Sequence, residues 1–231
     1  MKRQKEQKSE EHEPGEEKKI SSEWVFLGTL VLLILVFGIL FSIKYLNKPE
    51  VLTPDEMHQK NLQGKLTSAQ GYVYHGFSFV KYQGLWFTQL HPVNSTNVYN
   101  IQLHFGPREV ENVNILGDPL PFTRAKAIYL TFDPIGNNLP YVALTAGEFS
   151  LNTAVVMNIT PIAACTRNET EICKKRPIVN CDEDKEHAIV FIKEAEKGGV
   201  VVEQNCITIS GKGADLVKAA DKLLLTWFKI I

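Results

Sequence analysis

The chain has 231 residues with nearly balanced charge, 25 Lys and Arg against 26 Asp and Glu. Beyond its one long apolar stretch, residues 44–231 contain 19 basic and 19 acidic residues, so they lack the basic surface that binding to a phosphate backbone requires. The composition therefore argues against nucleic acid as a partner, and it allows a domain with a hydrophobic core of its own.

Residues 1–23 are mainly charged side chains of both signs. Such a segment cannot bury enough apolar surface to offset the entropy lost on folding, so we expect a disordered tail. It contains six Lys and Arg residues, whereas only Lys44, Lys48 and Lys60 lie in the twenty residues after the apolar stretch. Basic residues near a membrane span stay on the cytoplasmic side, so this bias predicts a cytoplasmic N-terminus and an outward C-terminal domain.

Residues 24–43 form an uncharged run, WVFLGTLVLLILVFGILFSI. As an α-helix this run is about 30 Å long, which matches the hydrocarbon core of a bilayer. Trp24 and Tyr45 bracket it, and such aromatic side chains favour the headgroup region. The run predicts a single transmembrane anchor with the lipid bilayer as its partner. The alternatives are a cleaved signal peptide, whose apolar core is usually shorter, and a buried core helix.

Residues 44–70 are predicted to be a stalk between the anchor and the outer domain. Within it, Thr53 and Pro54 are typical of a helix start, in which a capping residue precedes proline. We expect a short helix to about Asn61, ended by Gly64.

Alternating apolar and polar residues over 72–91 predict a hairpin that turns at Gln83 and Gly84. Further strands are expected at 98–105, 113–116 and 125–132, a helix at 145–157, and strands at 188–192 and 200–210. Residues 214–231 have the apolar stripe of an amphipathic helix, which we expect to cover the sheet. This order predicts an α+β domain over 71–231 with a mixed, mainly antiparallel sheet, and with 72–134 and 140–231 as candidate lobes.

All four cysteines, Cys165, Cys173, Cys181 and Cys206, lie in the outward portion. Clustered cysteines in an oxidising compartment indicate disulfides. Three pairings are open, and we favour the two local bridges Cys165–Cys173 and Cys181–Cys206. The alternative is a zinc site in an inverted, cytosolic domain, but the gaps between these cysteines are longer than in the usual zinc motifs. We therefore expect no metal ion and no cofactor.

Two other groups of side chains are candidate sites. Asn94 and Asn168 lie in glycosylation sequons, and a third sequon at Asn158 is weaker because Pro161 follows it. Tyr72, Tyr74 and Trp86 are candidates for a binding face, because tyrosine and tryptophan combine a large apolar area with a polar tip. The alternative is that these rings are part of the core or form ordinary pairs across strands.

The sequence contains no motif that would name a reaction. Gly76-Phe-Ser78-Phe-Val80 departs from the nucleophile elbow at its last position, and the Gly-rich turn 210–215 lacks the spacing of a phosphate loop, so it predicts a helix start rather than an anion site. We therefore expect a membrane-anchored binding or assembly protein of the cell envelope, with another envelope protein as a partner and without enzymatic activity. The alternative is an extracytoplasmic hydrolase that assembles its site from distant residues such as Ser78, His75 and Asp133.

Overall fold

The computed structural model of the protein describes residues 22–46, 52–91 and 97–231. The chain divides into two units, residues 1–51 and residues 52–231. Residues 1–21 of the predicted tail and the sequon at Asn94 lie outside the described ranges.

The first unit contains helix α1, Ser22–Leu46. This helix includes the predicted anchor, begins two residues before it and ends three residues after it. Its span from Glu23 to Leu46 is long and apolar enough to cross a membrane, a property that an N-terminal signal sequence shares. The helix is therefore consistent with a membrane anchor or a signal.

The second unit begins with helix α2, Pro54–Leu62, followed by an antiparallel four-stranded sheet whose strands neighbour one another in chain order. These strands are β1 (Gly71–Tyr74), β2 (Phe77–Tyr82), β3 (Leu85–Leu90) and β4 (Tyr99–Leu103). Helix α2 starts as predicted: Glu56 N donates to Thr53 Oγ1 at 3.4 Å, and the Glu56 carboxylate accepts from Thr53 N at 2.8 Å. This reciprocal pair satisfies two backbone donors at the helix start.

Helix α2, which lies within the predicted stalk of residues 44–70, packs against the first sheet. Met57, His58 and Asn61 are buried, and Asn61 Nδ2 donates to the carbonyl oxygen of Tyr72 at 3.0 Å. The short helix is therefore held against the first sheet by a buried hydrogen bond as well as by apolar contact.

A tight turn at His75 and Gly76 divides residues 72–82 into two strands where the alternating pattern predicts one. Both turn residues have positive φ, 47° and 88°, as a two-residue hairpin requires. The predicted turn at Gln83 and Gly84 has nearly the same backbone, with φ of 50° and 87°. Residues 71–90 therefore form three strands joined by two tight turns.

The rest of the chain builds a second, six-stranded sheet with the spatial order β5-β9-β10-β8-β6-β7. Its elements in chain order are α3 (Pro107–Val110), β5 (Ile115–Leu116), β6 (Ala127–Phe132), α4 (Leu139–Met157), β7 (Thr160–Ala163), β8 (Ile189–Glu194), β9 (Gly199–Glu203), β10 (Cys206–Gly211) and α5 (Ala214–Trp227). Short 3-10 turns occur at Leu120–Arg124 and Cys173–Lys175.

The α+β class is confirmed, whereas three finer predictions differ from the structure. In the second sheet only β9 and β10 pair antiparallel, and the other neighbouring strands are parallel. Strands β5 and β6 pair with strands from the C-terminal half, so 72–134 and 140–231 are not separate lobes. The strand predicted over 200–210 is a hairpin, β9–β10, which turns at Gln204 and Asn205.

The second sheet buries apolar residues on both of its faces. Val190, Ile192, Ile207 and Ile209 belong to the main core, together with buried residues of α4, α5 and the first sheet. On the other face, a smaller cluster joins Ile189 and Cys206 to Ala164 and Val179. Parallel strands are normally covered on both sides, and here an irregular segment, residues 164–188, packs against the second side.

Two disulfides fasten this irregular segment, and they follow the local pairing that the spacing favours. Cys165 is bonded to Cys173, and Cys181 is bonded to Cys206 at the start of β10. The side chain of Thr131 in β6 also donates to the carbonyl oxygen of Val179 at 2.9 Å. The segment is thus bonded to the sheet both covalently and through a buried hydrogen bond.

Two members of the predicted aromatic binding face are buried, which corrects that prediction for Tyr72 and Trp86. Their exposed fractions are 7% and 6%, and their ring centres lie 4.9 Å apart. The ring of Tyr72 also stacks on Phe79 at 5.6 Å, and burial raises the pKa of Tyr72 to about 12. These rings are core residues, while Tyr74 stays partly exposed.

We expect Gly106→Ala to destabilise the domain by about 1–3 kcal/mol through overpacking. A Cβ at Gly106 would lie 2.3 Å from the hydroxyl oxygen of Tyr72, whose stacked ring cannot move away. The Tyr72→Phe change removes that oxygen, so the double variant should recover most of the stability in urea unfolding. Gly147→Ala is the matched control, because a Cβ there meets nothing within 4 Å. Equal losses in the single and double variants would contradict this account of the contact.

Candidate functional site

The carboxyl ends of four parallel strands, β10, β8, β6 and β7, lie along one edge of the second sheet. Thr166 N donates to the carbonyl oxygen of Phe132 at 3.1 Å, and Ala195 N donates to that of Gly211 at 3.1 Å. These bonds continue the ladders past the strand ends. They bring the residues that follow the strands, including Asp133, into one row.

The connections leave this edge in opposite directions. Strand β6 leads through α4 to β7 on one side, whereas β8 leads to β9 and β10 on the other. In open sheets with parallel strands, such a change of direction leaves a crevice outside the strand ends, and ligands bind there preferentially.

A cavity of about 580 Å³ occupies this place, between the ends of β6 and β8. We call it the edge cleft. Its apolar wall includes Ile135, Val142 and Phe191. Its polar wall includes Asp133, Asn137, Thr166, Arg167, Lys193 and Glu194. The volume suits a small molecule, and the charges on the wall balance.

Asp133 and Arg167 form one side of the edge cleft. Asp133 Oδ2 accepts from Arg167 Nη2 at 3.0 Å, and its Oδ1 accepts from Ile135 N at 3.1 Å. Arg167 Nη1 also lies 3.6 Å from Glu169 Oε1. The guanidinium group is therefore paired with two carboxylates. It orients Asp133, and it does not present an unpaired positive charge to the cleft.

Glu194 forms the other side, and it has an unused acceptor. Its Oε2 accepts from Asn137 N at 3.1 Å, whereas its Oε1 is buried and has no hydrogen-bond partner among the described residues. The hydroxyl oxygen of Thr166 is likewise buried and has no hydrogen-bond partner among the described residues. A buried polar group without a partner costs about 1–3 kcal/mol, and more when it is charged. Two residues that line the edge cleft thus hold buried polar atoms without a hydrogen-bond partner in the described part of the chain.

A second cavity, of about 460 Å³, adjoins the edge cleft and shares Asn137 and Glu194 with it. It reaches Lys212 in the Gly-rich turn. The ammonium group of Lys212 is bonded to Glu196 Oε1 at 2.9 Å, and this contact raises the pKa of Lys212. A Cβ at Gly211 would lie 2.5 Å from the backbone nitrogen of Leu216, so packing against the start of α5 requires that glycine. The turn therefore supports the helix-start interpretation rather than an anion site.

The three residues named for a hydrolase do not meet. His75 Nδ1 lies 3.0 Å from the carbonyl oxygen of Ile230, Ser78 lies in the first sheet, and Asp133 lies at the edge of the second sheet. Their separation removes the geometric basis for a site built from these three side chains.

Ser78 has a histidine partner that the sequence analysis missed, namely His58 of helix α2. Ser78 Oγ lies 2.9 Å from His58 Nδ1 and accepts from Asn61 Nδ2 at 2.8 Å. Burial lowers the pKa of His58, which favours the neutral ring. A serine beside a neutral histidine resembles a nucleophile and its base, but the pair lies between α2 and the first sheet, outside the edge cleft. We interpret it as a polar bond between these two elements.

A buried acidic cluster joins α4, α5 and the end of β4. Asp221 is fully buried; its Oδ2 accepts from Phe105 N at 2.8 Å, and its Oδ1 has no partner within the described ranges. Glu148 accepts from His104 N at 2.9 Å and also pairs with the His104 ring. Burial, and then the nearby charge of Glu148, raise the pKa of Asp221 well above its usual value. The Asp221 carboxyl therefore keeps its proton to a higher pH in the folded domain than in the unfolded chain.

The remaining predicted sites stay predictions. Asn168 is exposed in the loop closed by the disulfide Cys165–Cys173, a position that glycosylation can reach. Across the described ranges, no group of three or more His, Cys, Asp or Glu residues is arranged to hold a metal ion.

Comparisons with protein-family models, curated proteins and solved structures found no match to this chain. The edge cleft is therefore interpreted from its own geometry.

Sequence reasoning named Asp133 but missed Thr166, Arg167 and Glu194. Glu194 ends an apolar run, and Thr166 and Arg167 follow Cys165 directly. The missing signal was the direction of the strands, because only parallel strands place these positions at one edge. The continuous apolar run at 188–192 is typical of a strand buried on both faces, and it was the available indication.

We expect the unfolding free energy of the wild type to fall with rising pH, relative to Asp221→Asn. In the unfolded chain Asp221 loses its proton near its ordinary pKa of about 4, whereas the raised pKa in the folded domain moves this loss to higher pH. The difference in unfolding free energy between the wild type and Asp221→Asn should therefore change by up to about 1.4 kcal/mol per pH unit until the raised pKa is passed. Asn keeps the acceptor for Phe105 N and stays neutral. Urea unfolding between pH 4 and 8 measures the difference, and Asp215→Asn, on the exposed side of α5, is the control. If the difference in unfolding free energy between the wild type and Asp221→Asn does not change with pH, the pKa of Asp221 is not raised in the folded domain.

Proposed function

We propose that this protein is a membrane-anchored binding protein of the cell envelope whose outer domain takes a small polar ligand into the edge cleft. The observation that carries the proposal is the pair of buried, unpartnered oxygens, Glu194 Oε1 and Thr166 Oγ1, at one cavity. Both can accept a hydrogen bond, so they favour a ligand that donates, such as an amine or a polyhydroxyl compound.

The side chains that line the edge cleft restrict the chemical class of the ligand further. The positive charge of Arg167 is already balanced by Asp133 and Glu169, whereas the Glu194 carboxylate forms no ion pair in the described part of the chain. An ammonium group at Glu194 would make a charge-assisted bond, which is stronger than a neutral one. Phe191 and Val142 supply apolar contact on the same wall. We therefore favour small amines over sugars.

The location outside the membrane is part of the proposal. Helix α1 is long enough to span a bilayer, the six Lys and Arg residues of the N-terminal tail favour a cytoplasmic N-terminus, and two disulfides are typical of an oxidising compartment. The proposal also keeps the predicted covering role of α5, whose buried residues contact β10 and β9. Another envelope protein remains the expected macromolecular partner.

We expect Glu194→Gln to abolish ligand-induced stabilisation without destabilising the empty domain. The change removes a charge that lacks a partner, so the unliganded variant should unfold at the same temperature as the wild type or higher. Thermal unfolding in the presence of millimolar free amino acids, small amines and monosaccharides tests both points, since a ligand at 100 times its Kd adds about 2.7 kcal/mol. Glu196→Gln, at the same sheet edge but exposed, is the matched control. The proposal fails if no compound stabilises the wild type, or if Glu194→Gln responds equally.

Thiol labelling of intact cells should show no free cysteine until a reductant is added. An outward domain has Cys165, Cys173, Cys181 and Cys206 in disulfides, which a membrane-impermeant maleimide reaches only after reduction. Labelling after lysis, with and without denaturant, is the control for buried thiols. Four free thiols that react only after lysis would place the domain in the cytoplasm and contradict the proposed topology.

A further inference from the structure

We propose that the exposed side of helix α4 is an interface through which two copies of this chain associate. This side, the α4 face, consists of Ala143, Leu144, Gly147, Leu151, Ala154 and Val155, all exposed. The exposed fractions of Leu144, Leu151 and Val155 are 38%, 45% and 48%. The outward side of a surface helix is normally charged or polar, whereas the one charged residue of α4, Glu148, is buried.

The α4 face has two adjacent rows that complement each other. At 3.6 residues per turn, the small residues Ala143, Gly147 and Ala154 form one row. The larger residues Leu144, Leu151 and Val155 form the next row. The ridge of large side chains on one helix fits the shallow row on another. A twofold axis lets both copies make the same contact. Because the α4 face has no charged side chain, two copies of it do not repel each other electrostatically.

Gly147 supports the approach of a second helix independently. Glycine inside a helix is less stable than alanine by about 0.5–1 kcal/mol. A Cβ at Gly147 would meet nothing within 4 Å, so the domain itself has room for a larger residue there. A glycine at the centre of the exposed row instead allows the backbone of a second helix to come close.

The composition of the α4 face favours a second copy over a lipid surface. A helix that lies on a membrane carries Lys and Arg on its polar side and large apolar residues on the other. Helix α4 contains no Lys or Arg, and half of its exposed face is small. The helix is about 28 Å long, which gives a modest interface. Anchoring in one membrane would raise the effective concentration of the copies and compensate for a modest affinity; only this last point depends on the proposed anchor.

Association of the full-length chain in lipid nanodiscs and detergent micelles tests the interface. Two populations with different fluorophores should show energy transfer that increases with protein density. Leu151→Lys should weaken association about ten-fold or more, because it places an unpaired charge in the contact. Ile172→Lys, which is 63% exposed in the disulfide-bonded segment, is the matched control and should associate like the wild type. Thermal unfolding verifies that both variants stay folded.

The Gly147→Ala variant distinguishes a role of Gly147 in association from a role in the stability of the domain. It should raise or maintain the unfolding temperature of the chain, because alanine favours the helix, while it weakens association. The proposal is overturned if wild-type copies stay single at every density, or if Leu151→Lys associates like the wild type, which would assign the contact to α1. The proposal is also overturned if the amide hydrogens of α4 are protected from deuterium exchange in nanodiscs that contain a single copy of the chain. Lipid, rather than a second copy, would then cover the α4 face.

Discussion

The second sheet depends on one constraint, which is that a largely parallel sheet has two apolar faces and both must be kept from water. One face packs into the main core with α4, α5 and the first sheet. The other packs against residues 164–188, a segment with little regular structure that cannot satisfy its own backbone as a helix does. Two disulfides restrict the unfolded states of this segment and stabilise its cover of the sheet by on the order of 2–4 kcal/mol each.

The same segment positions the edge cleft. Thr166 and Arg167 follow Cys165 directly, and Thr166 N extends the ladder of β6 through Phe132. Arg167 lies two residues from the buried Cys165, in the loop that the disulfide closes, and it pairs with Asp133. Glu194, on the opposite wall, is fixed by its strand and by Asn137 N. A rigid site with unsatisfied acceptors is typical of a place where stability has been given up for binding.

Much of the local structure was readable from the sequence, because caps, turns and apolar periods act over a few residues. Thr53 and Pro54 predicted the start of α2, and Gln83-Gly84 predicted a hairpin. The turns at His75 and Gln204 were missed, since a two-residue turn keeps the alternating pattern in step and lacks the usual Asn-Gly or Asp-Gly signal. The burial of Tyr72 and Trp86 was also not readable, because alternation separates two faces without saying which one meets the core.

The site was less predictable than the fold, because it depends on which strands are neighbours. Asp133, Thr166 and Glu194 are far apart in the chain, and only the order β8-β6-β7 brings their strands together. The α4 face was equally hidden: the residues over 145–157 predict a helix, and a single sequence does not distinguish a side that packs in the core from a side that meets a second copy.

The bond between Cys165 and Cys173 makes one wall of the edge cleft sensitive to reduction. Without this bond the loop of residues 165–173, which includes Thr166 and Arg167, loses its covalent closure. The bond Cys181–Cys206 and the hydrogen bond from Thr131 to Val179 still hold the rest of the segment against the sheet. Disulfides persist in oxidising compartments, so under the proposed function the complete cleft is confined to such a compartment.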